Sequence, residues 1–250
     1  MISKNRIKWL KSLQMKKFRQ AESVFVAEGP KLVGELLDGG FECVYMAMTE
    51  KVPTSKYQGI LCDIATEEEL KRVSTVETPQ GVLAVFRQPK YEVDALKVMK
   101  EGLCLALDEV QNPGNLGTIV RLADWFGIHD VFCSQGCADL FNPKTIQATM
   151  GAIAHVRVHY YNLEKLLEDA RNEGVAVYGT FLDGENMYEK RLQATGIIVM
   201  GNEGRGISPE VERCVTHRLT IPSWSDSHVE SLNVAIATAV VCAEFRRQAL

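Results

Sequence analysis

The sequence predicts an α/β protein in which a parallel sheet covered by helices is preceded by a smaller α/β domain. Two observations lead there. From about residue 96 onward, short apolar strand candidates alternate with helical ones, the rhythm of strand–helix–strand crossovers. Before that point the pattern is mixed and less regular, and Gln88-Pro89-Lys90 reads as a linker, so the chain divides into residues 1–90 and 91–250.

The elements follow in order. The first twenty residues read as a basic helical start, and Ser23–Ala27 as a short strand. A helix over Pro30–Leu37 is opened by proline in its first turn and stopped by Gly39-Gly40. Phe41–Ala47 is predicted as a strand, Glu67–Arg72 as a helix and Gly81–Phe86 as a strand. In the second part the strands are Leu103–Leu107, Asp130–Cys133, Val175–Thr180, Gly196–Met200 and Arg218–Ile221. The helices between and after them are Leu116–Phe126, Pro143–Ala152, Leu163–Asn172 and Ser231–Gln248. Sheets of this kind place ligands at the loops after the strand carboxyl ends.

Composition sets limits on function. The 250 residues are 46% hydrophobic and 24% charged, the range of an ordinary globular protein. No apolar run approaches the roughly 20 residues of a membrane helix, and no signal-peptide core follows the basic start, so the expected location is the cytoplasm. Seven scattered cysteines without a CxxC pair argue against a metal site or disulfide framework. The net charge of −4 hides an asymmetry. Lys4, Arg6, Lys8, Lys11, Lys16, Lys17 and Arg19 occupy the first twenty residues with no acid among them, enough to neutralise several nucleic-acid phosphates or simply to solvate a helix face.

Three strand-end stretches carry chemistry. In Leu107–Arg121 a strand ends, a Pro113-Gly114 turn follows, and a helix is expected to start near Asn115 as N-cap, with Arg121 six residues inside it. In Ile197–Ile207 a buried strand runs into Gly201, Gly204 and Gly206, where main-chain groups approach a ligand or simply make a tight turn. The glycine order is GxxGxG; neither the GxGxxG fingerprint of dinucleotide enzymes nor a P-loop occurs. In Ile221–Ala235 a strand enters a polar loop and then a long apolar helix, with Ser231 at the expected N-cap and Asn233 in the first turn. His228 in that loop is given no role.

In this order, the three stretches resemble the motifs of the SpoU (TrmH-type) family of RNA 2′-O-ribose methyltransferases in the SPOUT superfamily. The resemblance covers roughly residues 100 to 248, and Leu13–Arg19 with Phe25–Gly29 looks like that family's small substrate-binding domain. It implies a SPOUT-type parallel sheet with a C-terminal trefoil knot, a ribosomal-protein-L30e-like amino-terminal domain, and a homodimer with a shared active site. It also implies S-adenosyl-L-methionine as cofactor, held by Met200, Gly201, Gly206, Ile221 and Leu232, and a catalytic set of Asn115, Arg121, Glu203, Ser231 and Asn233. The implied substrate is RNA, ribosomal favoured over transfer. No metal is implied.

Arg121 corresponds to the family's activator of the hydroxyl, but a guanidinium with a pKa above about 12 is a poor base. Fixing a phosphate and stabilising the forming alkoxide suit it better. The third motif departs from the family's Ile-Pro-Met-x-Gly: Ser223 replaces Met, Ser225 or Asp226 replaces Gly, and the loop is about two residues longer. An RNA-binding relative without activity is therefore the main rival, and cofactor titration separates the two. A doubly wound oxidoreductase is the other rival, and the missing fingerprint opposes it.

Overall fold

A computed structural model describes residues 1–53, 57, 59–225 and 231–250. They form two compact units, one of residues 1–90 with 139–155, the other of residues 91–138 with 156–250. Segment 139–155 thus groups with the amino-terminal residues, so the units are not simply the halves before and after the linker.

The first unit opens with helices α1 (Lys4–Ser12) and α2 (Lys16–Glu22). Its sheet contains β1 (Val24–Glu28), β2 (Cys43–Met48), β3 (Cys62–Ile64) and β4 (Val82–Arg87) in the order β1-β4-β2-β3. β4 is antiparallel to both neighbours and β3 runs parallel to β2. Helices α3 (Pro30–Asp38), α4 (Glu67–Val73) and α7 (Pro143–Thr149) complete it. α4 begins with a full capping box between Thr66 and Glu69 and carries three glutamates in its first turn, where the helix dipole favours them. Leu10, Leu13, Val24, Tyr45, Leu70 and Val85 belong to one buried cluster of this unit.

The second unit is built on six strands: β5 (Leu103–Leu107), β6 (Asp130–Ser134), β7 (Arg157–Tyr161), β8 (Val177–Asn186), β9 (Gly196–Met200) and β10 (His217–Thr220). Their order is β10-β8-β9-β5-β6-β7, and every adjacent pair is parallel. β5 and β9 lie at the centre and are buried on both faces, which explains their unbroken apolar sequences. Helix α5 (Ala95–Glu101) leads into the sheet, α6 (Pro113–Trp125), α8 (Leu163–Asn172) and α9 (Pro209–Glu212) lie in connections between its strands, and α10 (Val234–Gln248) closes the chain. The chain runs from β5 outward through β6 to β7, then returns to the other side of β5. The order therefore reverses between β5 and β9, and the crevice at such a reversal is where open parallel sheets bind ligands. No helix among the described residues is long and apolar enough to cross a membrane.

Five elements differ from expectation. β3, β7, α5 and α9 were not predicted, and β8 runs on to Asn186. The caps also move. α6 starts at Pro113, capped by the Asn112 side chain, which accepts from Gly114 and Asn115 N–H. α10 starts at Val234, capped by Asn233 rather than Ser231. In each case the true cap is the last extended residue before the helical turn.

Candidate active site

The loops after β5 and β9 meet at the reversal, and the start of α10 joins them. Asn233 fixes the local geometry. Its Oδ1 accepts the N–H groups of Ala235 and Ile236 at 2.9 and 3.4 Å, as a helix cap does. Main-chain N–H can only donate, so the oxygen side of this amide is assigned without ambiguity and Nδ2 must face outward. There it donates to Asn115 Oδ1 at 3.1 Å. Asn115 is then oriented in turn: its Nδ2 donates to Glu203 Oε1 at 2.6 Å. One chain of hydrogen bonds joins residues 118 and 88 positions apart, one from each motif stretch. Because Asn112 takes the capping duty on α6, the Asn115 side chain is free for this bridge.

The loop carrying Glu203 is a tight hairpin. Asn202 and Gly206 exchange N–H···O bonds at 2.9 Å, and Asn202 Oδ1 accepts the N–H groups of Gly204 and Arg205. Gly201 has no room for a side chain, since a Cβ would overlap the main chain of Gly206 and Ile207, and Gly206 itself adopts φ +70°. Both glycines are thus required by the turn itself.

Residues that sequence reasoning passed over tie this hairpin to the loop after β5. Asn202 Nδ2 donates to the Glu109 carbonyl at 2.8 Å, and Arg205 Nη2 to Glu109 Oε2 at 2.6 Å. Glu109 sits in the left-handed region at φ 56°, and its N–H donates to Ser134 Oγ at 2.9 Å. Buried Asp108 accepts the Ser208 N–H at 2.8 Å. The Asn-x-Gly pattern at Asn202 was the one local signal of these contacts.

The other expected site residues are placed as follows. Arg121 is exposed on α6 and has no hydrogen bond or ion pair among the described residues. Ser231 is exposed beside the α10 cap and is not joined to the Asn115 chain. Met200 ends β9 with its side chain buried, and its carbonyl accepts from Asp108 N–H at 2.8 Å. Ile221 is half-buried and Leu232 is 48% exposed. Asp226 and His228 lie outside the described residues.

In the first unit, Lys4, Lys8 and Lys11 share one exposed stripe of α1 at helical spacing, and Lys16 and Lys17 are exposed on α2. Arg6 is half-buried with its guanidinium 4.7 Å from the Tyr45 ring and 5.2 Å from Trp9. Arg19 does not fit the expected phosphate-binding role. It is buried, donates to the carbonyls of Leu13 and Gln14 at 2.8 Å, and pairs with Asp139 at 2.6 Å. Its charge is spent inside the unit.

Fold and site define an α/β protein whose candidate site, the Asn233–Asn115–Glu203 chain, lies at the carboxyl edge of a parallel sheet. The chain belongs to the SpoU rRNA Methylase family, whose model matches residues 102–243, while an MRM3-like substrate binding domain matches residues 4–84. It is accordingly a methyltransferase, and the expected enzyme class and fold class hold. One relative is the 23S rRNA (guanosine(2553)-2'-O)-methyltransferase RlmP of Bacillus subtilis, 33% identical over 244 residues and covering 96% of both chains. Among solved structures, a TrmH-family protein from Porphyromonas gingivalis is 46% identical, with TM-score 0.87 over 99% of each chain. An AdoMet-bound rRNA methyltransferase from Sinorhizobium meliloti is 29% identical, with TM-score 0.88 over 100% of this chain and 98% of that one.

Proposed function

We propose that this protein transfers a methyl group from S-adenosyl-L-methionine to a ribose 2′-hydroxyl of a structured RNA, ribosomal RNA in preference to transfer RNA. The observation that carries the reading is the Asn233–Asn115–Glu203 chain, because it brings all three family motifs to one point.

The residues present suit the cofactor. Ile221 is half-buried and Leu232 is 48% exposed, so both present apolar side chains to solvent in part. Together with Met200, Gly201 and Gly206 they would hold an adenosyl group through main-chain contacts against apolar walls, in the knot that the resemblance implies. When bound, the cofactor supplies an electrophilic methyl group on a sulfonium.

The protein's own task is to position the hydroxyl and manage its proton. Asn115 occupies Oε1 of Glu203 and leaves Oε2 open to take a proton, directly or through water. Arg121, with every guanidinium donor unspent among the described residues, fixes the target phosphate and stabilises the forming alkoxide. Ser231 supplies a further hydroxyl contact. Residues 1–90 serve as the RNA substrate-binding domain, gripping phosphates through Lys4, Lys8, Lys11, Lys16 and Lys17 with Arg6, and residues 91–250 as the SPOUT methyltransferase domain.

The active form is a cytoplasmic homodimer. α6 leaves Trp125 82% exposed with Leu122 half-buried one turn before it, and the packed neighbour α10 leaves Ile236 55% exposed with Val240 one turn on. Two adjacent apolar stripes of this kind fit a second copy of the chain. Trp125→Glu is expected to convert a dimer to monomer in sedimentation.

The deciding experiment incubates the protein and labelled S-adenosylmethionine with total RNA from cells lacking it, then maps 2′-O-methylation. One ribose in ribosomal RNA should gain the label. Folded protein that neither binds the cofactor in calorimetry nor labels any RNA would make this chain a binding relative without activity.

A further inference from the structure

We propose that Trp224 is a stacking platform for an unpaired RNA base next to the methylated nucleotide; the proposal rests on the RNA-methylating reading above. Trp224 is 96% exposed. A tryptophan normally buries most of its large apolar surface, so an indole left in water needs a reason. It lies four residues beyond the end of β10. All six strands are parallel, so this loop emerges at the same edge of the sheet as the loops bearing Asn115 and Glu203.

The loop itself presents the ring. Ser225 N–H donates to Ser223 Oγ at 3.3 Å, and that hydroxyl in turn donates to the Ser225 carbonyl at 3.3 Å. The two serines close on each other and leave Trp224 at the tip. Among the described residues no aromatic ring or cation packs on the indole, and nothing accepts from its N–H. Ser223 also stands where the family motif has methionine, so the change of residue type and the exposed ring occur in one short stretch.

The kind of partner follows from a contrast with Trp125. That ring continues an apolar helix face, which suits a broad protein surface. Trp224 is a single aromatic between two serines, which offers one flat face and little else. One face matches one nucleobase. Bases in loops and single strands are bound by stacking on aromatic side chains, with little dependence on their identity. A base flanking the target would be held there while the ribose reaches Glu203.

The test compares wild type with Trp224→Ala and Trp224→Phe. In methyl transfer to RNA from cells lacking the protein, Trp224→Ala should raise the KM for RNA about 5- to 150-fold, the loss typical of one stacked base. It should change kcat less than twofold and leave cofactor affinity alone; Trp224→Phe should recover most of the KM. A short oligoadenylate should quench wild-type fluorescence more than that of Trp224→Phe. An unchanged KM in Trp224→Ala, or equal quenching in both proteins, overturns the proposal. Dissociation of the dimer by Trp224→Ala also overturns it and assigns the ring to a second copy. Wild type that labels no RNA defeats the enzymatic reading instead, and the quenching comparison then decides the stacking by itself.

Discussion

The parallel sheet bears a group of polar side chains at each end, and the two groups are assembled differently. At the amino ends of β6 and β7, Arg157 donates two bonds to Asp130, at 2.8 and 2.6 Å, and His159 lies 2.9 Å from the same carboxylate. The His159 ring stacks on Phe132 at 5.1 Å. Asp130 is 3% exposed and His159 7%. The spacing is that of neighbouring strands: Asp130 faces Arg157 and Phe132 faces His159 in the register, with alternate residues sharing a face. At the carboxyl ends, Asn115, Glu203 and Asn233 come from three separate loops, and the chain they form leaves Glu203 Oε2 and Arg121 unspent among the described residues. The first group turns inward on one buried carboxylate and acts on stability. The second keeps capacity in reserve, as a group that must bind something else has to.

The sharpest way to break this contrast is to remove the middle of the second chain. Asn115→Ala should lower the rate of methyl transfer by about 10²- to 10³-fold, the usual cost of losing one preorganised donor. Stability should change by less than about 1 kcal/mol, because the lost bonds are solvent-accessible. A large stability loss with near-normal turnover would make the chain a structural tie like its counterpart.

Asp130→Asn tests the other end, with the effects reversed. Burial acts to raise the Asp130 pKa, but the hydrogen bonds from His159 and Arg157 outweigh it and hold the carboxyl below its ordinary value. Loss of the charge at neutral pH should cost about 2–3 kcal/mol in urea unfolding, less than a fully buried pair because Arg157 is 40% exposed. The sign of the pH dependence follows. A depressed carboxyl pKa stabilises the fold above the unfolded value near 3.9, and that contribution disappears as pH falls through the folded value. The gap between wild type and Asp130→Asn should therefore be full at pH 7 and shrink below about pH 4. A gap that persists in acid would assign the effect to packing.

How legible each end was in the sequence follows from the same contrast. Leu103–Leu107 and Gly196–Met200 were predicted at their observed bounds because strands buried on both faces are written as continuous apolar runs. β7 was missed because Arg157-Val158-His159-Tyr160-Tyr161 reads as polar; it becomes strand-like only once Asp130, on another strand, satisfies it. Asn115, Glu203 and Asn233 were found through their motif positions, yet their mutual bonds span loops and no local pattern encodes them. Arg19 illustrates the limit of reading charge along a chain: its partner, Asp139, is 120 residues away. The grouping of residues 139–155 with the first unit is non-local in the same way.

The smallest expected effect separates two asparagines that share one job. Asn112 and Asn233 both cap helices, accepting from Gly114 and Asn115 N–H in one case and from Ala235 and Ile236 N–H in the other. Only Asn233 also donates to Asn115. Each alanine variant should lose about 1 kcal/mol of stability for the missing cap. The divergence should appear in turnover. Asn112→Ala leaves the Asn115 side chain bonded as before and should transfer methyl groups within a fewfold of wild type. Asn233→Ala frees the Asn115 amide to rotate, which removes the one constraint that points Nδ2 at Glu203. Asn233→Asp keeps the cap and replaces the outward Nδ2 donor with a carboxylate oxygen, so it should restore stability without restoring the rate. If it restores both, the amide's orientation is not what the site depends on.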